Sequence, residues 1–248
     1  MDLVVSSDVV MRPFGDVVDL DVDFGQADRP GLVTALLAQC GDRSDPSFWW
    51  AQPVSGRNAA LLRLAGLTEQ RDEIPLSGLC ASPACGEPFD FRLPLRALPR
   101  VDPEVGTLRV PLDGERVLTM RRPTGEDLRR WFDARPPSRQ EALRLMFDSL
   151  VVEGQVGPED EAALSASISA MDPLVDFTVS CTCPACGAAQ EVAVDLESLA
   201  LASLARRQRA LVQEVHRFAS HYGWTESNVL AVPPARRARY LLLIEGPR

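Results

Sequence analysis

Two stretches decide how this chain is read: Cys80-Ala-Ser-Pro-Ala-Cys85-Gly86 and Cys181-Thr-Cys183-Pro-Ala-Cys186-Gly187. Laid over each other, Cys80 falls on Cys181, Pro83 on Pro184, Ala84 on Ala185, Cys85 on Cys186 and Gly86 on Gly187. Each is followed by an alternating run, Phe89-Asp-Phe-Arg-Leu-Pro-Leu95 and Gln190-Glu-Val-Ala-Val-Asp-Leu196. Alternation after a turn is the pattern of a half-buried strand. The same small unit is therefore expected twice in one chain.

Four thiolates drawn from two such turns suit Zn²⁺, which takes sulfur ligands tetrahedrally at about 2.3 Å. The expected ligands are Cys80, Cys85, Cys183 and Cys186, with the Gly after each second cysteine free to take φ > 0. The overlay puts Cys181 in the place of Cys183, whereas the two-residue spacing of Cys183 and Cys186 favours Cys183. Disulfides and unligated small apolar thiols are the competing readings. A site closed by four sulfurs leaves no position for a reactive water, so the zinc would be structural.

Composition narrows the rest. Of the 248 residues, 46% are hydrophobic and 25% charged, which is the balance of a globular chain long enough for one large domain or two small ones. No run approaches the roughly twenty apolar residues of a membrane span. The opening Met-Asp-Leu-Val-Val carries no basic flank, so we expect no secretory leader, no membrane contact and a cytoplasmic location with reduced thiols. The net charge of −9 argues against general binding to nucleic acid, which requires phosphate neutralisation. All 26 basic residues are arginine, a usage that fits GC-rich coding. Charge is uneven, with an acidic head and eight arginines in residues 200–248.

Reading outward from the knuckles, residues 17–25 alternate Val18, Leu20, Val22 and Phe24 with Asp19, Asp21 and Asp23, which predicts a strand. A calcium loop is excluded there, because Gly25 stands one place late and Pro30 occupies the position of the bidentate Glu. Pro30 opens a helix, residues 45–53 read as a loop with aromatic anchors, and residues 56–66 form another helix. Of the adjacent Trp49 and Trp50, a core role is favoured over a contact patch. Between the knuckles, residues 107–112 and 116–121 read as a hairpin across Asp113-Gly114. Helices follow from Thr124, over residues 139–152 and over residues 158–171. Residues 196–222 form the longest helix, ended by Gly223, and Thr225 caps a short one. A closing helix covers residues 235–244. The expected class is α+β, with small β elements around a split four-cysteine zinc knuckle and a helical C-terminal region. The expected division is an acidic and helical part (1–79), the knuckle pair with its inserted hairpin and helices (80–196), and a helical end (197–248).

No catalytic pattern accompanies this. His216 and His221 stand five apart, not in the i, i+4 relation of a helical metal pair, and there is no Gly-rich phosphate loop or Gly-x-Ser-x-Gly elbow. We therefore expect no enzyme. The C-terminal stretch is more informative: Tyr222, Trp224, Leu230, Pro233, Arg236, Arg237, Tyr240 and Leu241 lie within twenty residues. Here the sequence resembles the T4-type phage baseplate hub assembly chaperones, a family found also in phage-tail-like contractile injection systems. Cys183-Pro-Ala-Cys186 and Arg122-Pro-Thr-Gly-Glu-Asp-Leu128 are similar to segments of the same family. The likeness covers about the last fifty residues well and the middle in patches, and the first knuckle departs from it with four residues between its cysteines.

The resemblance implies a non-enzymatic assembly factor whose partners are baseplate hub or spike proteins. Trp224, Arg236, Arg237 and Tyr240 are the expected contact residues, being of types enriched at binding hot spots. The same aromatic residues also fit a packing role that fixes the helix turn. Two other readings remain: a subunit retained in the finished baseplate, and a zinc-ribbon regulator contacting nucleic acid through the arginine-rich end.

Overall fold

The computed structural model describes residues 9–99, 106–112 and 116–246. In chain order come α1 (Arg29–Cys40), α2 (Pro46–Ala51), α3 (Val54–Glu69), β1 (Glu73–Leu79), β2 (Pro88–Pro94), β3 (Thr107–Pro111) and β4 (Val117–Arg121). There follow α4 (Gly125–Ala134), α5 (Arg139–Leu150), β5 (Val151–Glu153), α6 (Glu161–Met171), β6 (Phe177–Thr182) and β7 (Ala189–Val194). The chain closes with α7 (Leu196–Tyr222), α8 (Glu226–Ala231) and α9 (Pro234–Glu245). The fold is α+β, with small antiparallel sheets β1–β2, β3–β4–β5 and β6–β7 among the helices. None of the described helices is long and apolar enough to cross a membrane.

Two cores organise it. The larger is built from α1, Trp49 of α2, α3, the inner faces of both knuckle hairpins and the first turns of α7. It therefore draws on all three stretches distinguished in the sequence. The smaller lies inside the segment between the knuckles, where Val110, Leu118 and Met120 of the sheet meet Phe147, Leu150, Leu164 and Ile168. Buried polar contacts bind this insert back to the main body. The backbone N–H of Ser55 donates to Asp172, the Leu174 N–H donates to the Ser55 hydroxyl, and the Asn58 amide donates to the Leu174 carbonyl. The Asp113-Gly114 turn expected in the hairpin lies outside the described residues.

Capping residues set the helix ends where the sequence places them. Asp28 accepts from the Gly31 N–H at 2.9 Å to start α1. Asp195 accepts from the Ser198 N–H at 2.9 Å to start α7, and Gly223 ends it at φ 66°. At Thr124 the Asp127 carboxylate reaches back to the Thr124 N–H at 2.9 Å while holding Arg121 with both oxygens.

Three expectations are corrected. Residues 45–53 hold the short helix α2, because Asp45 caps it at the Ser47 N–H and Pro46 occupies its first turn. The helix expected to reach residue 152 ends at Leu150 and passes into β5, whose Val151 pairs with Met120. The acidic segment is not a strand: Val17–Asp21 winds into a 3₁₀ turn. Its alternation is overridden by Asp19, whose carboxylate is fully buried. That group accepts from both Arg12 guanidinium nitrogens (2.7 and 2.8 Å), the Gly15 and Asp16 N–H groups (2.6 and 2.9 Å) and Gln39 (2.6 Å). From α7, the Gln208 amide donates to the carbonyls of Asp19, Leu20 and Val22. Side-chain hydrogen bonds, local from Arg12 and long-range from Gln39 and Gln208, compete with the sheet ladder, and here they win.

Burial alone would raise the Asp19 pKa, but hydrogen bonds from Arg12, Gly15, Gln39 and Asp16 outweigh it and hold the carboxyl below its ordinary value. A depressed folded-state value gives a contribution that is present above the unfolded value near pH 4 and lost as pH falls through the folded one. Asp19→Asn is therefore expected to cost about 2–4 kcal/mol at pH 7. The gap from wild type should shrink steadily as pH falls below about 4, in urea melts run at matched ionic strength. A gap independent of pH would show that the charge is not what holds the turn.

Candidate metal centre and C-terminal surface

Each knuckle is the tip of a hairpin. In the first, β1 and β2 pair up to Leu79 opposite Pro88, and the Cys80 N–H then donates to the Glu87 carbonyl at 3.0 Å. In the second, β6 and β7 pair up to Thr182 opposite Ala189, and the Cys183 N–H donates to the Ala188 carbonyl at 2.9 Å. Cys80 is thus the structural counterpart of Cys183, which corrects the sequence overlay of Cys80 on Cys181. Gly86 and Gly187 adopt φ of 63° and 74°, so a left-handed residue turns the chain out of each knuckle.

The two tips bring Cys80, Cys85, Cys183 and Cys186 together, with all four sulfurs within 4.8 Å of one another. Cys80 and Cys186 stand 3.6 Å apart, Cys85 and Cys183 3.9 Å. A tetrahedron of sulfurs about 2.3 Å from a central ion has edges of about 3.8 Å, so the cluster fits a metal ion. These separations are far beyond the roughly 2.05 Å of a disulfide, and all six cysteines are free. Cys80 and Cys183 are buried against Phe89, while Cys186 is an exposed residue, so the cluster lies at the edge of the protein surface.

Cys181 is not among the four. It lies in β6 opposite Gln190, half-buried against the cluster but not part of it. Gln190 is the partner that the sequence did not reveal. Its amide donates to the Leu79 carbonyl at 3.0 Å and accepts from the Ala81 N–H at 2.8 Å, which pins one hairpin on the other.

Backbone donors prepare the sulfurs to carry charge. The Cys186 N–H is the largest influence on Cys183 and, with that of Ala185, outweighs desolvation to bring this thiol down to about 7. Cys80 receives the Ser82 N–H, but desolvation and the three neighbouring sulfurs together push it up to about 12. Ionising all four sulfurs at this spacing therefore calls for a cation among them. Cys40, by contrast, lies in α1 among apolar side chains, and burial pushes its thiol up to about 12, so it behaves as a small hydrophobe.

Towards the C-terminus of the chain, α8 and α9 fold back onto α7 around Phe218, which is fully buried. Trp224 stacks on its ring at 5.5 Å, Tyr222 and Tyr240 lie at 6.1 Å, and Trp224 meets Tyr240 edge-on at 5.6 Å. Trp224 and Tyr240 are half-buried members of this four-ring cluster, so both have a packing role. Arg237 is not a surface group, which corrects its expected role in direct contact. Only 4% exposed, it donates to Glu214 at 2.8 Å and to the Val232 and Leu230 carbonyls, bolting the α8–α9 corner to α7. Arg236 points outward and is exposed. His216 and His221 are both exposed on α7, and His221 packs edge-on against Tyr222. Searches of protein-family models, curated protein sequences and solved structures for relatives of this chain returned no match.

Proposed function

We propose that one Zn²⁺ ion occupies the four-cysteine cluster as a structural staple. We further propose that the protein is a non-enzymatic assembly factor for the baseplate hub of a contractile phage tail or related injection system. The zinc reading is supported by the donor set, four sulfurs at tetrahedral spacing with backbone N–H groups directed at them. Bound there, the ion would neutralise the thiolates and tie residues 80–85 to residues 183–186, closing a loop that contains the whole inserted lobe.

The function rests on the family resemblance, and one observation supports it. Four of the C-terminal residues that carry the resemblance gather into a single unit, with Tyr222, Trp224 and Tyr240 around Phe218 and Arg237 locking the corner behind them. A stretch so arranged offers a rigid platform, and a rigid surface loses little side-chain entropy on binding. The proposed action is to hold a hub or spike component in the cytoplasm by contact, without chemical turnover. The runner-up is a subunit retained in the finished baseplate, and the net charge of −9 places a nucleic-acid regulator behind both.

Affinity purification of the tagged protein, co-expressed with hub and spike proteins of the same tail cluster, is expected to recover one of them. Mature particles purified in parallel should lack the protein. Its retention in particles would make it a baseplate subunit instead, and recovery of neither hub nor spike would overturn the assembly reading.

A further inference from the structure

Two pairs of cysteines make a direct sulfur–sulfur contact, Cys80 with Cys186 at 3.6 Å and Cys85 with Cys183 at 3.9 Å. Both contacts cross from one hairpin to the other, over 106 and 98 residues of chain. Backbone donors keep the inner sulfurs in these positions. The Cys186 and Ala185 N–H groups point at Cys183, and the Ser82 N–H points at Cys80. Gln190 and the packing around Phe89 join the hairpins without help from any ion. Access to the cluster is one-sided. Cys186 is exposed between exposed Ala185 and Gly187, which carry nothing bulky to shield it, whereas Cys85 is half-buried and Cys80 and Cys183 are buried.

We propose that the cluster is an oxidation site for hydrogen peroxide, at which Cys186 reacts first and is joined by Cys80, and Cys85 then joins Cys183. Two disulfides thereby take over the tie between the hairpins. This goes beyond the assembly function and rests on the sulfur geometry, drawing on the zinc reading only for the ion released. In the first step the Cys186 sulfur attacks a peroxide oxygen, the O–O bond breaks, and a sulfenic acid and one water form. In the second, the Cys80 sulfur attacks that of Cys186. The S–S bond forms, the S–O bond breaks, and the oxygen leaves with the thiol proton as a second water. Two electrons pass from the sulfur pair to the peroxide, and the second pair consumes a second peroxide in the same way. Contact between Cys80 and Cys186 lets the sulfenic acid be trapped before further oxidation. Closing each contact to the roughly 2.05 Å of a disulfide asks for side-chain rotation only. Sulfurs bonded to each other no longer carry the charge that holds a cation. Cys40, buried in α1, and Cys181, outside the four, take no part. A cross-link over about 100 residues restricts the unfolded chain as the ion does, so stability survives the exchange.

The test treats the reduced, zinc-loaded full chain with a small excess of hydrogen peroxide. A chromogenic chelator follows the zinc, and mass spectrometry of unreduced digests maps the links. One ion per chain is expected to leave, with the Cys80–Cys186 link appearing before Cys85–Cys183. The oxidised chain should run faster on a non-reducing gel, because a loop of 106 residues has been closed. It should melt within about 5 °C of the untreated protein, whereas the reduced chain in chelator should melt about 10–15 °C lower. Cys181→Ser should give the same map. A main product linked within a knuckle, Cys80 to Cys85 or Cys183 to Cys186, overturns the inference. So does a main product linked through Cys181, sulfinic acid at Cys186 without a link, or melting at the chelated level once both links have formed. A chain purified without zinc that still yields the same two links keeps the inference and removes the zinc staple. One zinc per chain with links inside the knuckles does the reverse.

Discussion

Cys183→Ser is expected to take zinc from one ion per chain to none and to lower the melting temperature by about 10–15 °C. Cys183 is the buried member of the second knuckle, and its thiol is the one that backbone N–H groups bring down to about 7, so its loss removes the ligand best prepared to ionise. The stability term comes largely from chain topology. Cys85 and Cys183 are 98 residues apart, and Cys80 and Cys186 are 106 apart. A cross-link over a loop of about 100 residues lowers the entropy of the unfolded chain by an amount worth about 4–5 kcal/mol. Without it, what joins the two tips among the described residues is the Gln190 amide with its two hydrogen bonds, each worth about 1 kcal/mol, and the packing around Phe89. Elemental analysis of the purified protein and thermal melts with and without chelator read both effects. Cys181→Ser is the control, and it should keep its zinc and melt within about 1 °C of wild type, as substitutions away from key contacts do. Equal loss of zinc from Cys181→Ser would overturn the ligand assignment.

What could be read from the sequence was what short-range chemistry decides. Cys183-Pro-Ala-Cys186 forms its turn from neighbours alone, and α7 stops at Gly223 because a residue without a Cβ takes the left-handed backbone that ends it. What could not be read depends on distant partners. The alternation of residues 17–24 is a real strand signal, but Arg12, Gln39 and Gln208 settle the matter, and Gln208 lies 189 positions from Asp19. Letter matching set Cys80 on Cys181, whereas hairpin pairing makes Cys80 the counterpart of Cys183; the first knuckle is simply the longer turn. Arg237 looked like a surface cation because its carboxylate partner, Glu214, is 23 residues upstream on another helix. The candidate ligands were legible because metal-binding thiols come as spaced pairs, while Gln190, a lone amide, left no pattern.

Phe218→Ala should have the other large effect, and a local one. Replacing a fully buried phenylalanine by alanine costs about 3–5 kcal/mol, and the cost is greatest where the surroundings cannot close over the cavity. Phe218 is enclosed by Tyr222, Trp224 and Tyr240, rigid rings carried on α7, α9 and the connection after α7. Collapse onto the gap would require the α8–α9 corner to shift, and Arg237 holds that corner to Glu214 and to the carbonyls of Leu230 and Val232. The corner should instead open as a unit. Amide hydrogen exchange over residues 226–245 is expected to accelerate well beyond that of the knuckle hairpins, while zinc content stays at one per chain. Trp224→Ala, which removes a half-buried ring from the edge of the same cluster, should cost less and leave α9 protected. If Phe218→Ala instead destabilised the α8–α9 corner and the knuckle hairpins equally, α9 would be integral to the main core and not a platform mounted on it. Opening confined to the corner is the outcome that the rigid-platform reading requires: the Phe218 rings and the Arg237–Glu214 pair are what hold α8 and α9 against α7.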